Sequence, residues 1–293
     1  MRRAGYAAAV AGDRVVALLG VGVVPADTPI LRADDLGALR GDGCFETMHV
    51  RSGEPWLLDE HLDRMVRSAD RLDLALPPRT SLVELASAAC AAWPRSREGA
   101  LRMVVTRGAE DGEGPATVFA TLAAVGEVTL RARRSGLRVR TAALGFPADL
   151  RRSAPWLLGG AKTLSYAVNM ASQRWAQSVG ADDVLWTSTD GYALEGPTST
   201  LVWRAARALC TVPAEATGIL AGTTARWLLD HAGDLGLKAE ERMITPDGLL
   251  LVDGAWFVSS VRGLAPIVAL DGTELATVPD ETARMRDLLG YPA

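Results

Sequence analysis

The stretch Gly159-Gly160-Ala161-Lys162-Thr163-Leu164-Ser165-Tyr166 places a lysine between two glycines and a helix-like run. Lysine is scarce in this chain, where arginine carries most of the positive charge. An amine is a nucleophile only when uncharged, and burial favours that form. Lys162 is therefore a candidate for covalent chemistry. Most lysines are solvated surface charges, so the interpretation depends on the segments around it.

Length and composition limit the class of protein. A chain of 293 residues has room for two domains or one large one. With 48% hydrophobic and 23% charged residues, we expect an ordinary folded core. The net charge of −4 gives no reason to expect nucleic acid or an anionic membrane as a partner. Cys44, Cys90 and Cys210 form no CxxC pair, so neither a disulfide framework nor a metal site is predicted.

The apolar runs give no sign of a membrane protein. The stretch 15–24 contains glycine and is too short to span a bilayer. The basic start Met1-Arg2-Arg3-Ala4-Gly5 is followed by no clear signal-peptide pattern. We therefore expect a reduced, cytoplasmic protein.

Hydrophobic periodicity predicts a mixture of strands and helices. In the first half, we expect strands over 15–19, 101–106 and 117–125, and a helix over 59–74 with Asp59 as its N-cap. The glycine-rich loop 108–114 connects the strands 101–106 and 117–125 and indicates that they are neighbours in a sheet. The polar stretch 126–136, with Arg131, Arg133 and Arg134, is the predicted linker between domains.

The second half continues the mixture. We expect strands over 137–144, 183–188, 255–259 and 267–270, and helices over 163–179 and 223–235. The helix over 163–179 would bury one stripe, formed by Leu164, Val168, Ala171 and Trp175. Neither a dinucleotide-binding nor a P-loop glycine motif is present. The pattern favours α/β layers over a regular βαβ array.

Six short segments, taken in order, resemble the fold-type IV pyridoxal phosphate (PLP) enzymes, the class IV aminotransferase family. The resemblance covers roughly residues 30 to 270. The segments are 41–47 (GDGCFET), 61–65 (HLDRM), 161–166 (AKTLSY), 190–199 (DGYALEGPTS), 218–224 (GILAGTT) and 259–266 (SSVRGLAP).

The resemblance implies the cofactor, pyridoxal 5'-phosphate, and a role for each candidate residue. Lys162 matches the catalytic lysine that forms a Schiff base with PLP, and Glu195 matches the acid beside the pyridine nitrogen. Tyr166, four residues past Lys162, would bond the phenolic oxygen. The phosphate contacts implied by the family motifs are Arg64, Gly222, Thr223, Thr224, Ser260 and Val261, with Ser199 and Thr200 also near the cofactor.

Two motifs depart from the family pattern. Thr200 stands where the family usually has asparagine, which puts side-chain contacts near the ring in doubt. The family's Leu-Pro-Gly is here Leu220-Ala221-Gly222, which puts the entry into the following helix in doubt.

Segments 41–45 and 101–108 look most like aminodeoxychorismate lyase. The resemblance then implies a small-molecule amine substrate with two carboxylates. Glu46, Arg102 and Arg107 are the candidate substrate-binding residues, with Arg107 as a carboxylate clamp. Cys44 is interpreted as a packing residue rather than a nucleophile.

The expected fold class is α/β (α+β), as a two-domain fold-type IV PLP enzyme. A small N-terminal α/β domain would span residues 1–130. A larger C-terminal pseudo-barrel domain, 131–293, would carry the lysine. The family implies a homodimer.

The expected reaction is a lyase that eliminates pyruvate from 4-amino-4-deoxychorismate to give 4-aminobenzoate, a folate precursor. The alternative is an aminotransferase acting on D-amino acids or branched-chain amino acids. A catalytically silent scaffold on the same fold stays open as a third interpretation.

Overall fold

The computed structural model describes residues 14–112 and 114–291, so the basic start and Glu113 of the glycine-rich loop lie outside the described residues. The chain divides into two compact units. Unit 1 runs to Val125 and also includes Lys162–Ser165, whereas unit 2 comprises Gly126–Ala161 and the chain from Tyr166 onward. The lysine segment therefore groups with the first unit, although the predicted C-terminal domain, 131–293, included it.

The described residues of unit 1 form a six-stranded antiparallel sheet with three helices. Its sheet order is β2-β1-β6-β5-β3-β4, and β5 and β6 are antiparallel neighbours, as predicted. Its strands are β1 (Arg14–Leu18), β2 (Gly22–Val24), β3 (Gly43–Arg51), β4 (Glu54–Pro55), β5 (Gly99–Thr106) and β6 (Val118–Ala124), and its helices are α1 (Leu36–Arg40), α2 (Leu58–Leu72) and α3 (Arg79–Ala91).

Strand alternation gives this sheet two different faces, because successive side chains point to opposite sides. Met48, Leu101 and Leu122 lie in register across β3, β5 and β6 and belong to one buried cluster with side chains of α2 and α3. The opposite face carries Phe45, Arg102 and their neighbours. Helices α2 and α3 therefore cover one face, and the other face carries a groove.

The lysine segment is held against the first strand residues of β3. The Phe45 amide donates to the Lys162 carbonyl at 3.0 Å, and the Leu164 amide donates to the Gly43 carbonyl at 2.9 Å. Thr163 forms an isolated antiparallel bridge with Cys44. Residues 162–164 thus act as a short additional partner for β3.

Unit 2 contains a larger mixed sheet in the order β11-β10-β9-β12-β13-β7-β8, with β14 paired to β13. Its strands are β7 (Leu137–Ala143), β8 (Asp183–Thr187), β9 (Thr200–Ala205), β10 (Ala208–Thr211), β11 (Lys238–Glu241), β12 (Gly254–Ser259), β13 (Gly263–Leu270) and β14 (Thr273–Glu274). Its helices are α4 (Glu127–Ser135), α5 (Leu150–Ser153), α6 (Ala167–Ser178), α7 (Ala214–Thr217), α8 (Thr223–Asp230), α9 (Pro246–Leu249) and α10 (Pro279–Leu289), with 3₁₀ turns at Pro155–Leu157 and Ala232–Leu235.

The centre of this sheet fixes the geometry of two loops. Trp203 and Phe257, on the neighbouring strands β9 and β12, are fully buried in the core of unit 2. The start of β9 at Thr200 pairs with the end of β12, and residues 260–262 turn the chain from β12 into β13. Thr200 and this turn therefore lie at the same end of the sheet.

Several local predictions were wrong. The predicted linker 126–136 is helix α4, in which the Arg133 side chain is buried. Helix α2 begins after Leu57, which has left-handed backbone geometry, so Asp59 is not its N-cap. Helix α6 begins only at Ala167, and two residues of its predicted inward stripe are largely exposed, Val168 by 63% and Trp175 by 43%.

The helix predicted over 223–235 is α8 followed by a 3₁₀ turn. Among the described residues, none of the helices has the length and apolar character needed to cross a bilayer.

Candidate active site

Lys162 lies in a short, well-anchored segment of unit 1. Its amide donates to the Ser68 hydroxyl at 3.0 Å and its carbonyl accepts from Phe45, so both backbone polar groups are satisfied. Its Nζ lies 4.4 Å from the centre of the Phe45 ring. An ammonium cation over an aromatic face is stabilised by the ring quadrupole. The backbone is thus fixed, and the half-buried side chain extends over Phe45.

A buried charged cluster lies on the helix-covered face of the same strand. Glu46 on β3 has no exposed surface, and it accepts from Arg64 of α2 through Nε and Nη2, both at 2.7 Å. Glu46 Oε2, which accepts from Arg64 Nη2, also lies 2.6 Å from His61 Nδ1. His61 and Arg64 are three residues apart and therefore share one face of α2. The two parallel hydrogen bonds fix the orientation of the Arg64 guanidinium relative to the Glu46 carboxylate.

The electrostatics of the cluster define its protonation. Burial alone would raise the pKa of the Glu46 carboxyl, but the charge and hydrogen bonds of Arg64, with those of His61, outweigh it and hold the pKa well below its usual range. Burial lowers the pKa of His61 despite its bond to Glu46, and the charges of Arg64 and Lys162 add to that lowering. A neutral His61 donates its Nδ1–H to the carboxylate, because an ionised carboxylate can only accept.

The buried position of Glu46 corrects its assignment as a substrate-binding residue. Even-numbered residues of β3 face the helices, whereas Phe45 and Thr47 face the groove. Burial, with the Glu46 charge, raises the pKa of the Cys44 thiol to about 12, so this thiol stays protonated. Cys44 is a packing residue, as interpreted from the sequence.

The groove on the open face of the sheet contains Arg102, one of the predicted substrate-binding residues. Its volume is about 490 Å³. The Arg102 guanidinium lies 5.6 Å from the centre of the Phe45 ring, which also carries the Lys162 amine. The described residues lining the groove include no acidic side chain; they are Arg14, Leu31, Gly37, Thr47, Ala100, Arg102, Val104, Thr106, Phe119, Thr121, Ala123 and Leu164. This surface suits an anionic ligand.

Arg107 is bound by the protein itself, contrary to its predicted role as a carboxylate clamp. Its Nε and Nη2 donate to the Asp42 carboxylate at 2.7 and 3.1 Å. Further bonds run to the carbonyls of Leu72 at 2.6 Å and Asp73 at 3.0 Å. Arg107 therefore ties the end of β5 to the C-terminus of α2, and the geometry favours a structural function.

Glu195 is a buried carboxylate in unit 2, only 8% exposed. Its Oε2 accepts from the Leu220 amide at 3.2 Å, and its Oε1 lies 3.4 Å from Arg151 Nη1. Arg151 was not predicted from the sequence, because it precedes Glu195 by 44 residues and lies in no recognisable motif. A carboxylate held in this way fits the partner of a protonated ring nitrogen.

Three hydroxyl groups converge at the N-terminus of α8. Ser260 Oγ lies 3.4 Å from Thr223 Oγ1 and 3.3 Å from Thr224 Oγ1. Gly222 is the N-cap and has no side chain to bond the first amides of the helix. The first amides of a helix and its positive dipole end attract anions. Helix α8 therefore begins after Gly222, although the family's Leu-Pro-Gly is replaced here by Leu220-Ala221-Gly222.

The remaining motif residues of unit 2 support this end of the sheet. A Cβ at Gly222 would lie 2.2 Å from the Thr200 hydroxyl, so only glycine fits beside Thr200. Ser199 Oγ accepts from Arg262 Nη1 at 2.9 Å, and that arginine also bonds Asp183. Ser199 thus helps to hold the 260–262 turn.

Tyr166 is the residue that precedes α6, so Lys162 is not one helical turn before it on the same helix. The helical spacing that related the two residues was wrong, and the contact of Tyr166 with the cofactor stays a prediction.

The described residues supply each kind of group that PLP requires. Lys162 offers an amine, Glu195 a buried carboxylate, and Thr223, Thr224 and Ser260 a cluster of hydroxyl donors. The residues present therefore fit PLP.

Known proteins agree with this class of enzyme. The sequence model of the family described as Amino-transferase class IV matches residues 43–270. The bifunctional aminodeoxychorismate lyase / D-amino acid transaminase of Mycobacterium tuberculosis is 40% identical over 259 residues, covering 86% of this chain and 89% of the relative. The aminodeoxychorismate lyase of Bacillus subtilis is 25% identical over 265 residues, covering 89% and 88%.

Solved structures share the fold. A hypothetical aminotransferase from M. tuberculosis in its PLP-bound form is 38% identical, with a TM-score of 0.90 and coverage of 94% of this chain and 98% of that one. The fold IV-transaminase CpuTA1 from Curtobacterium pusillum is 36% identical, with a TM-score of 0.89 and coverage of 96% and 100%.

The fold and the site define a PLP-dependent enzyme of fold type IV. The chain belongs to the class IV aminotransferase family, whose cofactor is PLP, and it is either a lyase or an aminotransferase.

Proposed function

We propose that this enzyme is a 4-amino-4-deoxychorismate lyase that eliminates pyruvate to give 4-aminobenzoate, a folate precursor. The observation that carries the proposal is the 40% identity, over 86% of the chain, to a relative named for that activity. The groove that contains Arg102, whose guanidinium lies over the same Phe45 ring as the Lys162 amine, supports it. A homodimer in the cytoplasm remains our expectation.

PLP, when bound, supplies an electron-accepting ring for the bond that breaks at the carbon bearing the substrate amine. Lys162 would hold the cofactor through its Nζ, and its neutral amine would take the proton from that carbon as a general base. Glu195 would keep the ring nitrogen protonated. Arg64, Thr223, Thr224, Ser260 and Val261 are the proposed phosphate-binding residues. Loss of pyruvate leaves an aromatic product, and no second substrate is needed.

Arg102 is the proposed partner of a substrate carboxylate. Its guanidinium and the Lys162 amine lie over one ring, at 5.6 and 4.4 Å from its centre. A substrate with an amine near Lys162 would thus present a more distant carboxylate to Arg102. A guanidinium binds carboxylates through paired hydrogen bonds. This arrangement favours an amine substrate with a second carboxylate.

The lysine assignment can be tested by trapping. Borohydride reduction of the holoenzyme, followed by peptide mass mapping, should place the cofactor label on Lys162. Lys162→Ala should lose the label and reduce turnover by at least about a thousandfold, because it removes the general base and the attachment point. The matched control is Lys238→Ala, which alters the only other lysine, an exposed residue of β11. A label on Lys238, or turnover by Lys162→Ala, would refute the assignment.

The reaction is tested by product analysis. We expect 4-aminobenzoate from 4-amino-4-deoxychorismate without any oxo acid. Absence of 4-aminobenzoate would exclude the lyase proposal.

The second candidate function is transamination of D-amino acids. The same M. tuberculosis relative is also named a D-amino acid transaminase, and a D-alanine aminotransferase of Bacillus licheniformis is 25% identical over 249 residues. Turnover of D-alanine with 2-oxoglutarate would support it. Turnover of both substrates would indicate one bifunctional site.

Arg102→Gln separates the substrates. One lost charged hydrogen bond corresponds to roughly a tenfold or greater rise in KM for the substrate with two carboxylates. KM for D-alanine should change less than about threefold, because D-alanine has no second carboxylate. Arg14→Gln, in the same groove, controls for a general loss of positive charge. An equal effect of Arg102→Gln on both substrates would contradict the role of Arg102.

A further inference from the structure

The turn 260–262 in unit 2 has each of its three carbonyl groups bound by a side chain. The Tyr291 hydroxyl donates to the Ser260 carbonyl. Arg133 donates through Nη2 to the Val261 carbonyl at 2.6 Å and through Nε to the Arg262 carbonyl at 3.0 Å. Three consecutive carbonyls fixed by two side chains leave this turn little conformational freedom.

The two donors are themselves held in place. Arg133, on α4, is 2% exposed, and its guanidinium lies 5.1 Å from the centre of the Tyr291 ring. Arg286 of α10 donates to the Arg133 carbonyl at 2.6 Å. The Tyr291 ring also packs against Gly263, where an added Cβ would lie 2.9 Å from Cγ of the ring. Gly263 also has a φ of +68°. Position 263 therefore favours glycine for two reasons, the close approach of the Tyr291 ring and the left-handed backbone.

The direction of the carbonyls determines the direction of the amides. None of the described peptide bonds is cis, and in a trans peptide the carbonyl and the following N–H point to opposite sides. The amides of Val261 and Arg262 therefore point away from Tyr291 and Arg133. Ser260 Oγ meanwhile lies beside the hydroxyls of Thr223 and Thr224. The carbonyls of the turn, which would repel an anion, are bound by Tyr291 and Arg133 on the opposite side of the turn.

We propose that Tyr291 and Arg133 are positioning residues that hold turn 260–262 in the conformation that receives the cofactor phosphate. This inference rests on the phosphate role proposed above for Ser260 and Val261. Neither residue needs to touch the cofactor. The two act through the turn. They connect the phosphate affinity to α4, which carries Arg133, and to Tyr291, two residues after α10.

The test is Tyr291→Phe, which removes the hydroxyl and keeps the ring that packs on Gly263. The full-length protein is freed of cofactor, and the dissociation constants of PLP and of pyridoxal, which lacks the phosphate, are measured by tryptophan fluorescence. We expect PLP to bind about threefold to tenfold more weakly, as for one lost hydrogen bond. Pyridoxal binding should stay within twofold of wild type.

The matched control is Tyr192→Phe, which removes another tyrosine hydroxyl of unit 2 that lies outside this network and should leave both constants unchanged. Arg133→Met should weaken PLP binding more than Tyr291→Phe, since it removes two of the three bonds. If Arg133→Met does not fold, Tyr291→Phe alone decides the question. Wild-type PLP affinity in Tyr291→Phe, or an equal loss for PLP and pyridoxal, would overturn the proposal.

Ser260→Ala separates the failure of this inference from failure of the phosphate assignment. If Ser260→Ala weakens PLP selectively and Tyr291→Phe does not, the phosphate site stands and the positioning role is refuted. If neither substitution changes PLP affinity, the proposed phosphate role of Ser260 fails as well.

Discussion

Replacing Glu46 by glutamine removes one charge from a cluster that has almost no solvent contact. Glu46 and His61 have no exposed surface and Arg64 is 4% exposed. The variant leaves the Arg64 cation buried without its counterion, while the amide can still accept one hydrogen bond. Removing one member of a buried ion pair costs about 3–5 kcal/mol. Coulomb's law gives a similar figure, about 4 kcal/mol for charges about 4 Å apart at an effective dielectric constant of 20.

Urea unfolding of the cofactor-free protein measures this cost, because the slope and midpoint give the free energy of unfolding. We expect Glu46→Gln to lose about 3–5 kcal/mol, a large share of the roughly 5–15 kcal/mol that folded proteins possess. The double variant Glu46→Leu/Arg64→Met should regain most of that loss, because it removes both charges. A loss below about 1 kcal/mol in Glu46→Gln, or a double variant less stable than Glu46→Gln, would refute the buried-pair reasoning.

Two more predictions follow from the site. The free energy of unfolding should fall as the pH drops from 7. The pKa of His61 is lowered in the folded protein, so below about pH 6.5 the unfolded chain gains a proton first, and the lowered pKa of Glu46 acts in the same direction below about pH 4.3. Urea midpoints measured across this range check the direction, and a rise in the midpoint on acidification would contradict it. Gly222→Ala should lose about 1–3 kcal/mol in the same assay, since its Cβ would lie 2.2 Å from the Thr200 hydroxyl, whereas Gly233→Ala, which meets nothing within 4 Å, should unfold like the wild type.

Periodicity predicted the elements that have one clear apolar face. The strand at 101–106 alternates between the core and the groove, and its pairing with β6 is confirmed. The stretch 126–136 was mistaken for a linker because its polar composition hides a helix that buries an arginine. A guanidinium that bonds backbone carbonyls leaves no pattern in the sequence, because its acceptors, such as the Val261 carbonyl, are present at every residue.

The motifs predicted which residues matter better than they predicted where each side chain points. Glu46 was taken for a groove residue because both faces of β3 contain apolar side chains, so alternation alone did not assign the faces. Met48 and Val50, two and four residues further along, are core residues and mark the correct face. A carboxylate on that face requires a cation, and His61 and Arg64 are correctly spaced on one helix to meet it. The sequence therefore contained the three residues of the buried cluster, but their contact could be predicted only by knowing that this strand packs against this helix.

Arginine has four different functions in this chain, and its partners distinguish them. Arg64 bonds a buried carboxylate, Arg133 bonds carbonyls, and Arg107 bonds both kinds of acceptor. Arg102 instead lies in the groove. Since a guanidinium stays charged at every physiological pH, the sequence cannot rank these residues by charge. Geometry ranks them by the acceptors they already have, and the Arg102 guanidinium, placed over an aromatic ring in a groove lined without acids, is the one we expect a substrate to bind.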